Sequence, residues 1–236
     1  MKRNTILAVM LCSILFISSP ALAFGLTGEM VRVHKFEVPF DNIELKNVYG
    51  GQFRLFKVGP FSVVSDAQFA GNDDGISLVW DLIRKNIEDI EDPAELEGQR
   101  YVIADLGGKV RVDWPIPFRG SVIGGVGYKY TGFVHQNNDN FSFGLFQGLT
   151  YEAGLGVEIA RGLRAYGLYE FAPILTSTYK ENLDAENAQL SSFEVGIEYK
   201  IPFLVAKAGY RTENLKAEEA YSHRFSGVFI GAGLHF

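Results

Sequence analysis

Cysteine is all but missing from this sequence. Of 236 residues only Cys12 is one, and it sits inside an N-terminal apolar stretch. The rest of the chain can therefore hold neither a disulfide nor a cysteine-ligated metal. Long apolar runs are equally scarce. After Thr5 to Phe16 no stretch approaches the roughly 18 residues that a membrane-crossing helix needs, which excludes a helical membrane protein. Positive charge is also short, with 22 Lys and Arg against 28 Asp and Glu, and a net negative chain is a poor match for nucleic acid. Three of the four histidines, His34, His135 and His235, lie far apart. No pattern of catalytic, cofactor-binding or metal-ligating residues emerges, so none of these sites is expected.

What is present begins with MKRNTILAVMLCSILFISSPALA. Two basic residues, a short apolar run and the small-residue triplet Ala21-Leu22-Ala23 make up a secretory signal. Residues 1–23 are read as that signal and 24–236 as one domain. Cleavage after Ala23 removes Cys12, Lys2 and Arg3, leaving 20 basic against 28 acidic residues, a net charge of −8. All 26 glycines stay behind, about 12 % of the mature chain against an average near 7 %.

The remaining chain alternates. Val228, Ile230, Ala232, Leu234 and Phe236 share one face of the last segment, opposite Gly227, Phe229, Gly231, Gly233 and His235. From 143 to 159 the apolar set is Phe143, Leu145, Leu149, Tyr151, Ala153, Leu155, Val157 and Ile159, opposite a face of Gly, Thr and Glu. A period of two is the mark of a strand with one buried face. It predicts nine strands, at 48–58, 62–71, 99–113, 118–133, 142–159, 163–172, 190–201, 204–213 and 224–236. A tenth over 28–38 is blurred by Arg32, His34, Lys35 and Glu37. Prolines 39, 60, 93, 115, 117, 173 and 202 are expected in turns, loops or strand ends. Short connections at 59–60, 114–118, 160–162 and 202–203 alternate with longer ones at 72–98, 134–141, 173–189 and 214–223, the length pattern of an outer-membrane barrel.

Closing each short turn tightly sets Arg54 opposite Asp66, Asp113 opposite Arg119, Glu158 opposite Arg164, Glu198 opposite Lys207 and Glu194 opposite Arg211. Opposite charges facing one another across a strand pair favour that pairing. The prediction is an all-β fold: an antiparallel up-and-down transmembrane β-barrel of ten strands, with eight as the alternative. A soluble, lipocalin-like barrel would bury the apolar face instead. Three features favour an apolar exterior. Aromatics gather at strand ends on that face, with Trp114, Tyr199 and Phe236 at one end and Tyr128, Tyr130, Phe143, Tyr169 and Tyr210 toward the other. Glycine is dense on the opposite face, leaving room for long charged side chains. The last strand ends on an aromatic of its apolar face.

Across nearly all of 24–236 the chain resembles the small outer-membrane β-barrel proteins of Gram-negative bacteria. In that class a terminal Phe preceded by alternating apolar residues is read by the barrel-assembly machinery. The resemblance assigns that signal to Phe236, Leu234, Ile230 and Val228, with Ala232 a small residue within it. It also implies an outer-membrane location, reached across the inner membrane, and outer-membrane lipid and lipopolysaccharide as partners.

Inward charges nearly cancel: Arg54, Lys109, Arg111, Arg119, Lys129, Arg164, Lys200, Lys207 and Arg211 against Asp66, Asp105, Asp113, Glu152, Glu158, Glu170, Glu194 and Glu198. Ten strands leave at most a narrow passage. A structural barrel or a narrow, cation-preferring solute channel follows, and a wide porin does not. The register that joins Glu158 to Arg164 also sets Glu152 opposite Glu170. Two adjacent carboxylates resist joint ionisation, so they share a proton or bind a cation, unless Lys129 or an arginine reaches across to neutralise them.

In the 72–98 loop, Ile76, Val79, Trp80, Ile83, Ile87 and Ile90 recur at helical spacing, followed by an acidic run from Glu88 to Glu97. This predicts a short helix on the membrane surface or over the barrel mouth. A surface-binding protein with an extracellular partner at this loop is the second functional reading. The acidic run lacks the spacing of a calcium loop. An outer-membrane lipid-modifying enzyme is the third reading. Its histidine and serine would share a strand face, whereas His223 and Ser226 are three apart and fall on opposite ones. Omptin-type proteases use aspartates and a histidine at the outer rim. His135 and Asp139 share one loop here, without a second aspartate cluster to match.

Overall fold

The computed structural model describes residues 25–38, 43–72, 75, 99–137, 140–218 and 220–235. The signal segment, the helix expected over 76–90 with its acidic run, Asp139 and Phe236 lie outside them. Ten antiparallel strands form a closed barrel: β1 (Gly25–Glu37), β2 (Asn47–Val58), β3 (Phe61–Gly71), β4 (Gln99–Ile116), β5 (Gly120–Asn137), β6 (Asn140–Ala160), β7 (Leu163–Glu181), β8 (Asn187–Ile201), β9 (Leu204–Ala217) and β10 (Tyr221–His235). Each strand pairs with its chain neighbours, and β1 pairs with β10 to close the sheet. Closure removes both sheet edges, so every ladder group finds a partner within the chain. The blurred 28–38 segment is thus the closing strand, and the count is ten.

Alternation sends the two faces to opposite fates. Val110, Val126, Leu149, Leu155, Val157, Ile197, Val228 and Ile230 stand exposed on the outside. Trp114, Tyr199 and Phe203 lie on that face toward the short turns, and Tyr128, Tyr169 and Tyr210 toward the other end. Phe143 departs from the expected girdle, being buried and tilted against Tyr179 at 5.5 Å between ring centroids. Water does not tolerate so continuous an apolar surface, which wraps the middle of the barrel.

The inner face holds the charges, and glycine makes room for them. A side chain at Gly156 would collide with the Arg164 guanidinium, and one at Gly107 would lie 3.0 Å from the Asp66 carboxylate.

Several strands run past their expected ends, so the connections at 134–141, 173–189 and 214–223 shrink. Inward apolar side chains hold these extensions together: Phe133, Leu175, Leu190, Leu215 and Tyr221 are all buried. The sequence pattern hid the extension of β7, because its ladders shift register there, between Leu145 and Phe146 and between Gln147 and Tyr151 on β6, and between Ala172 and Leu175 on the β8 side. Pro173, expected in a loop, sits at the shift on the β8 side, where its missing N–H leaves no ladder bond to lose.

Two expected cross-strand pairs are not formed. The β2–β3 ladder shifts at Leu55, so Arg54 faces Val64 and Asp66 faces Gln52. The β4–β5 strands run on to Ile116 and Gly120 and turn through Pro117, Phe118 and Arg119. Arg119 therefore lies in the turn, with φ 60°, and Asp113 faces Ile123. Phe118 beside it also takes a left-handed φ of 62° and is 97 % exposed.

Candidate functional site: the lumen

The barrel interior has two tiers. At the centre, Glu152 of β6 and Glu170 of β7 are register partners, as are Glu158 and Arg164. Cations from β4 and β5 surround the carboxylate pair. Arg111 donates to Glu152 through Nε at 2.5 Å and Nη2 at 2.6 Å, a two-pronged bond that fixes the carboxylate plane. Lys109 Nζ lies between the two acids, donating to Glu152 at 3.2 Å and to Glu170, with Asp66 at 3.6 Å. Lys129 donates to the other Glu170 oxygen at 3.0 Å. Three cations thus answer two carboxylates, which leaves the pair no need of a shared proton or a metal ion to relieve its repulsion.

A second cluster crosses the seam of closure. Glu194 and Arg211 are register partners on β8 and β9, and Arg211 Nε donates to Glu194 at 2.8 Å. Its Nη2 also reaches Glu29 of β1 at 2.5 Å. Lys207, opposite Glu198 in register, lies 4.0 Å from it and 3.4 Å from Glu29. Lys200 holds Glu198 at 2.6 Å, and the Tyr166 hydroxyl donates to Glu194 at 2.6 Å. Toward the short turns, Arg164 bonds Asp113 through both terminal nitrogens, at 2.8 and 3.0 Å, rather than its ladder neighbour Glu158, which is exposed.

Side chains of four or more bonds cross a narrow barrel as easily as they reach sideways. Register identifies neighbours along the wall; across the lumen only a reach by Lys129 or an arginine was expected, and Lys129 and Arg111 are joined there by Lys109. Glu29 was overlooked because its strand is the blurred one. Glu213, buried on β9, was left out of the inward set although the alternation through Lys207 and Arg211 points to it.

Above this tier, toward the long connections, the lumen turns apolar. Gln68 donates to Glu213 at 3.2 Å and to Asp105 at 3.5 Å. Tyr221 bonds His223 Nδ1 at 3.1 Å and also the Tyr101 hydroxyl. From there Phe133 stacks on Tyr221 at 3.5 Å between centroids, and Phe146 follows Phe133 at 6.5 Å. Ile103, Leu175, Leu190, Leu215 and Phe225 complete a buried cluster. Leu45 joins it from the β1–β2 connection and Ala185 from the β7–β8 connection. No apolar tier was expected inside; most of its residues are inward by the same parity as the charges, Leu175 turning in after the β7 register shift, and they read as breaks in the pattern.

His223 is buried against Tyr221, with Glu213 3.9 Å from its Nε2, and His135 is buried on β5. Among the described residues, two cavities with room for several waters mark where packing is incomplete. One of about 100 Å³ lies among Glu29, Asp66, Lys109, Glu152, Glu170 and Arg211. Another of about 50 Å³ lies nearer the short turns, beside Arg54, Asp113 and Arg164.

No protein-family model matches the chain, and no curated protein matches it. Solved structures similar to it include Neisserial surface protein A (10 % identity, covering 90 % of this chain and 96 % of that one, TM-score 0.39). The outer membrane protease OmpT from Escherichia coli is similar at 9 % identity (89 % and 91 % covered, TM-score 0.46), and the N-terminal β-barrel domain of Pseudomonas aeruginosa OprF at 11 % (91 % and 98 % covered, TM-score 0.35). These are likenesses of general barrel form and carry no residue correspondence.

Proposed function

We propose that this chain is an outer-membrane β-barrel protein that serves as a closed structural barrel rather than an open pore. Support for the membrane location is the exposed apolar band with aromatics toward both of its ends, which lipid covers and water does not. A signal at 1–23 and an assembly signal at Val228, Ile230, Leu234 and Phe236, read by the barrel-assembly machinery, belong to the same proposal, as do lipid and lipopolysaccharide as partners.

The observation that carries the closed state is Lys109 lodged between Glu152 and Glu170, beneath the stacked Phe133 and Tyr221. A cation-preferring passage would need that carboxylate pair free to shed the ion's water and replace it. Here the acids are already bonded to fixed cations, and an entering ion would have to displace them and part an apolar plug. Single-channel recording of the refolded protein in a planar bilayer tests this. A silent bilayer at all voltages is expected, and discrete cation-selective openings of the unaltered protein would overturn the closed reading.

A further inference from the structure

The short-turn mouth of the lumen holds positive charge that the network does not absorb. Its cavity of about 50 Å³ is lined by Arg54 and Lys57 of β2, Ser62 of β3, Asp113, Arg164 and Glu198 among others. Both of those carboxylates are occupied. Asp113 takes the two terminal nitrogens of Arg164, and Glu198 takes Lys200. Arg111 also faces the cavity, but its guanidinium is bonded to Glu152.

Arg54 is the exception. Its Nε is shut off from solvent and bonded to nothing, and among the described residues its side chain makes no ion pair. The turn pairs Val58 with Phe61, which would set Arg54 opposite Ser65, and the shift at Leu55 moves it on to Val64, so no carboxylate faces it in register. The Asp66 carboxylate pairs with Lys109 instead. Lys57 sits opposite Ser62 at the rim and is exposed, with Asp113 the carboxylate that feels its charge. A guanidinium beside two others, with its Nε shut off from solvent, is costly unless an acceptor completes it.

We propose that this mouth is a binding site for a small oxyanion, of the phosphate or carboxylate class, drawn from the solution at the short-turn end. Arg54 supplies the planar fork that matches two oxygens of such an anion. Lys57 supplies a second charge at the entrance, and the Ser62 hydroxyl, on the same inner face, supplies a donor. A cavity of this size accommodates several waters or one compact anion. Arg54, Ser62, Asp113 and Arg164 are on the inner face of their strands, so the ligand is a dissolved ion and not a headgroup in the surrounding lipid.

Titration calorimetry of the refolded full chain with inorganic phosphate at low salt tests the site. Saturable binding is expected, weakened about tenfold or more in Arg54→Gln, since one charge-assisted fork is lost, and a few-fold in Lys57→Gln. Arg54→Lys should fall between, keeping the charge without the fork. Circular dichroism and heat-modified gel mobility report whether each variant folds, and should Arg54→Gln not fold, Lys57→Gln and Arg54→Lys decide. No saturable binding by the unaltered protein, or equal binding by the variants, would overturn the proposal. So would binding to phosphatidylglycerol micelles that competes with phosphate and falls in Arg54→Gln, which would place the ligand in lipid.

Discussion

The two tiers of the lumen are built on the same strands and the same inward parity, yet they solve the problem of a narrow interior in opposite ways. The central tier is filled with charges that hold one another across the barrel. The loop-end tier is filled with rings and branched aliphatics packed as in a soluble core. The first gains specificity through directional bonds, at a desolvation cost that packing would not incur. The second gains free energy from burial and asks little of angle. Glu213, His223 and the two tyrosines lie at the boundary and hydrogen-bond across it.

The largest expected effect strikes the charged tier. Lys109→Gln leaves Glu152 and Glu170 sharing fewer cations, and breaking a buried ion pair on one side costs about 3–5 kcal/mol. Urea unfolding of the refolded barrel should show that loss, and bilayer recordings should show whether the unmatched acids admit cations. If Lys109→Gln unfolds at the same urea concentration as the parent, the central tier is water-screened and the contrast with the plug fails.

The apolar tier answers to Phe133→Ala. Removing a buried ring that stacks on Tyr221 costs about 3 kcal/mol where the site cannot collapse. Because the cost is one of burial, it should be insensitive to salt, whereas that of Lys109→Gln should shrink as salt rises. Equal salt dependence of the two would erase the distinction between the tiers.

The outer face offers a third comparison. Val126 is exposed at the middle of β5, and Val126→Lys should cost about 2–4 kcal/mol in a bilayer, as lysine does at the midplane. Measured refolding in lipid vesicles checks it, and a neutral result would mean that this face meets water.

The smallest effect is at the short-turn mouth. Arg54→Gln removes an unpartnered cation next to Arg111 and Arg164, so in phosphate-free buffer it should stabilise the barrel by about 0.5 kcal/mol, the scale of a like-charge contact. A loss of stability instead would show that Arg54 has a partner.

Much of this was legible from alternation. Strict period two in 143–159 and 226–235 gave strands, face and antiparallel order, because a strand buried on one side must alternate. Where a ladder slips, the pattern stops reporting register. At β2–β3 the two-residue turn and the Leu55 shift together carry Arg54 past Asp66, and at β4–β5 the strand runs on to Ile116, so the turn is three residues at 117–119 rather than five at 114–118 and takes in Arg119. Loop lengths were overread for a related reason. Leu175, Leu215 and Tyr221, beyond the expected strand ends, are inward and apolar, and apolar residues on both faces look like no strand at all.

By itself the sequence determined nine of the ten strands, the apolar exterior and the paired position of Glu152 and Glu170, because each follows from a two-residue period and from neighbours along the wall. Only the tertiary structure decided what those acids meet. Lys109, Arg111 and Lys129 reach them from β4 and β5 across the closed barrel, and contacts across a lumen depend on curvature and closure, which no local pattern encodes. The same closure turned scattered inward rings into a plug, since residues far apart in the chain become neighbours only when β1 meets β10.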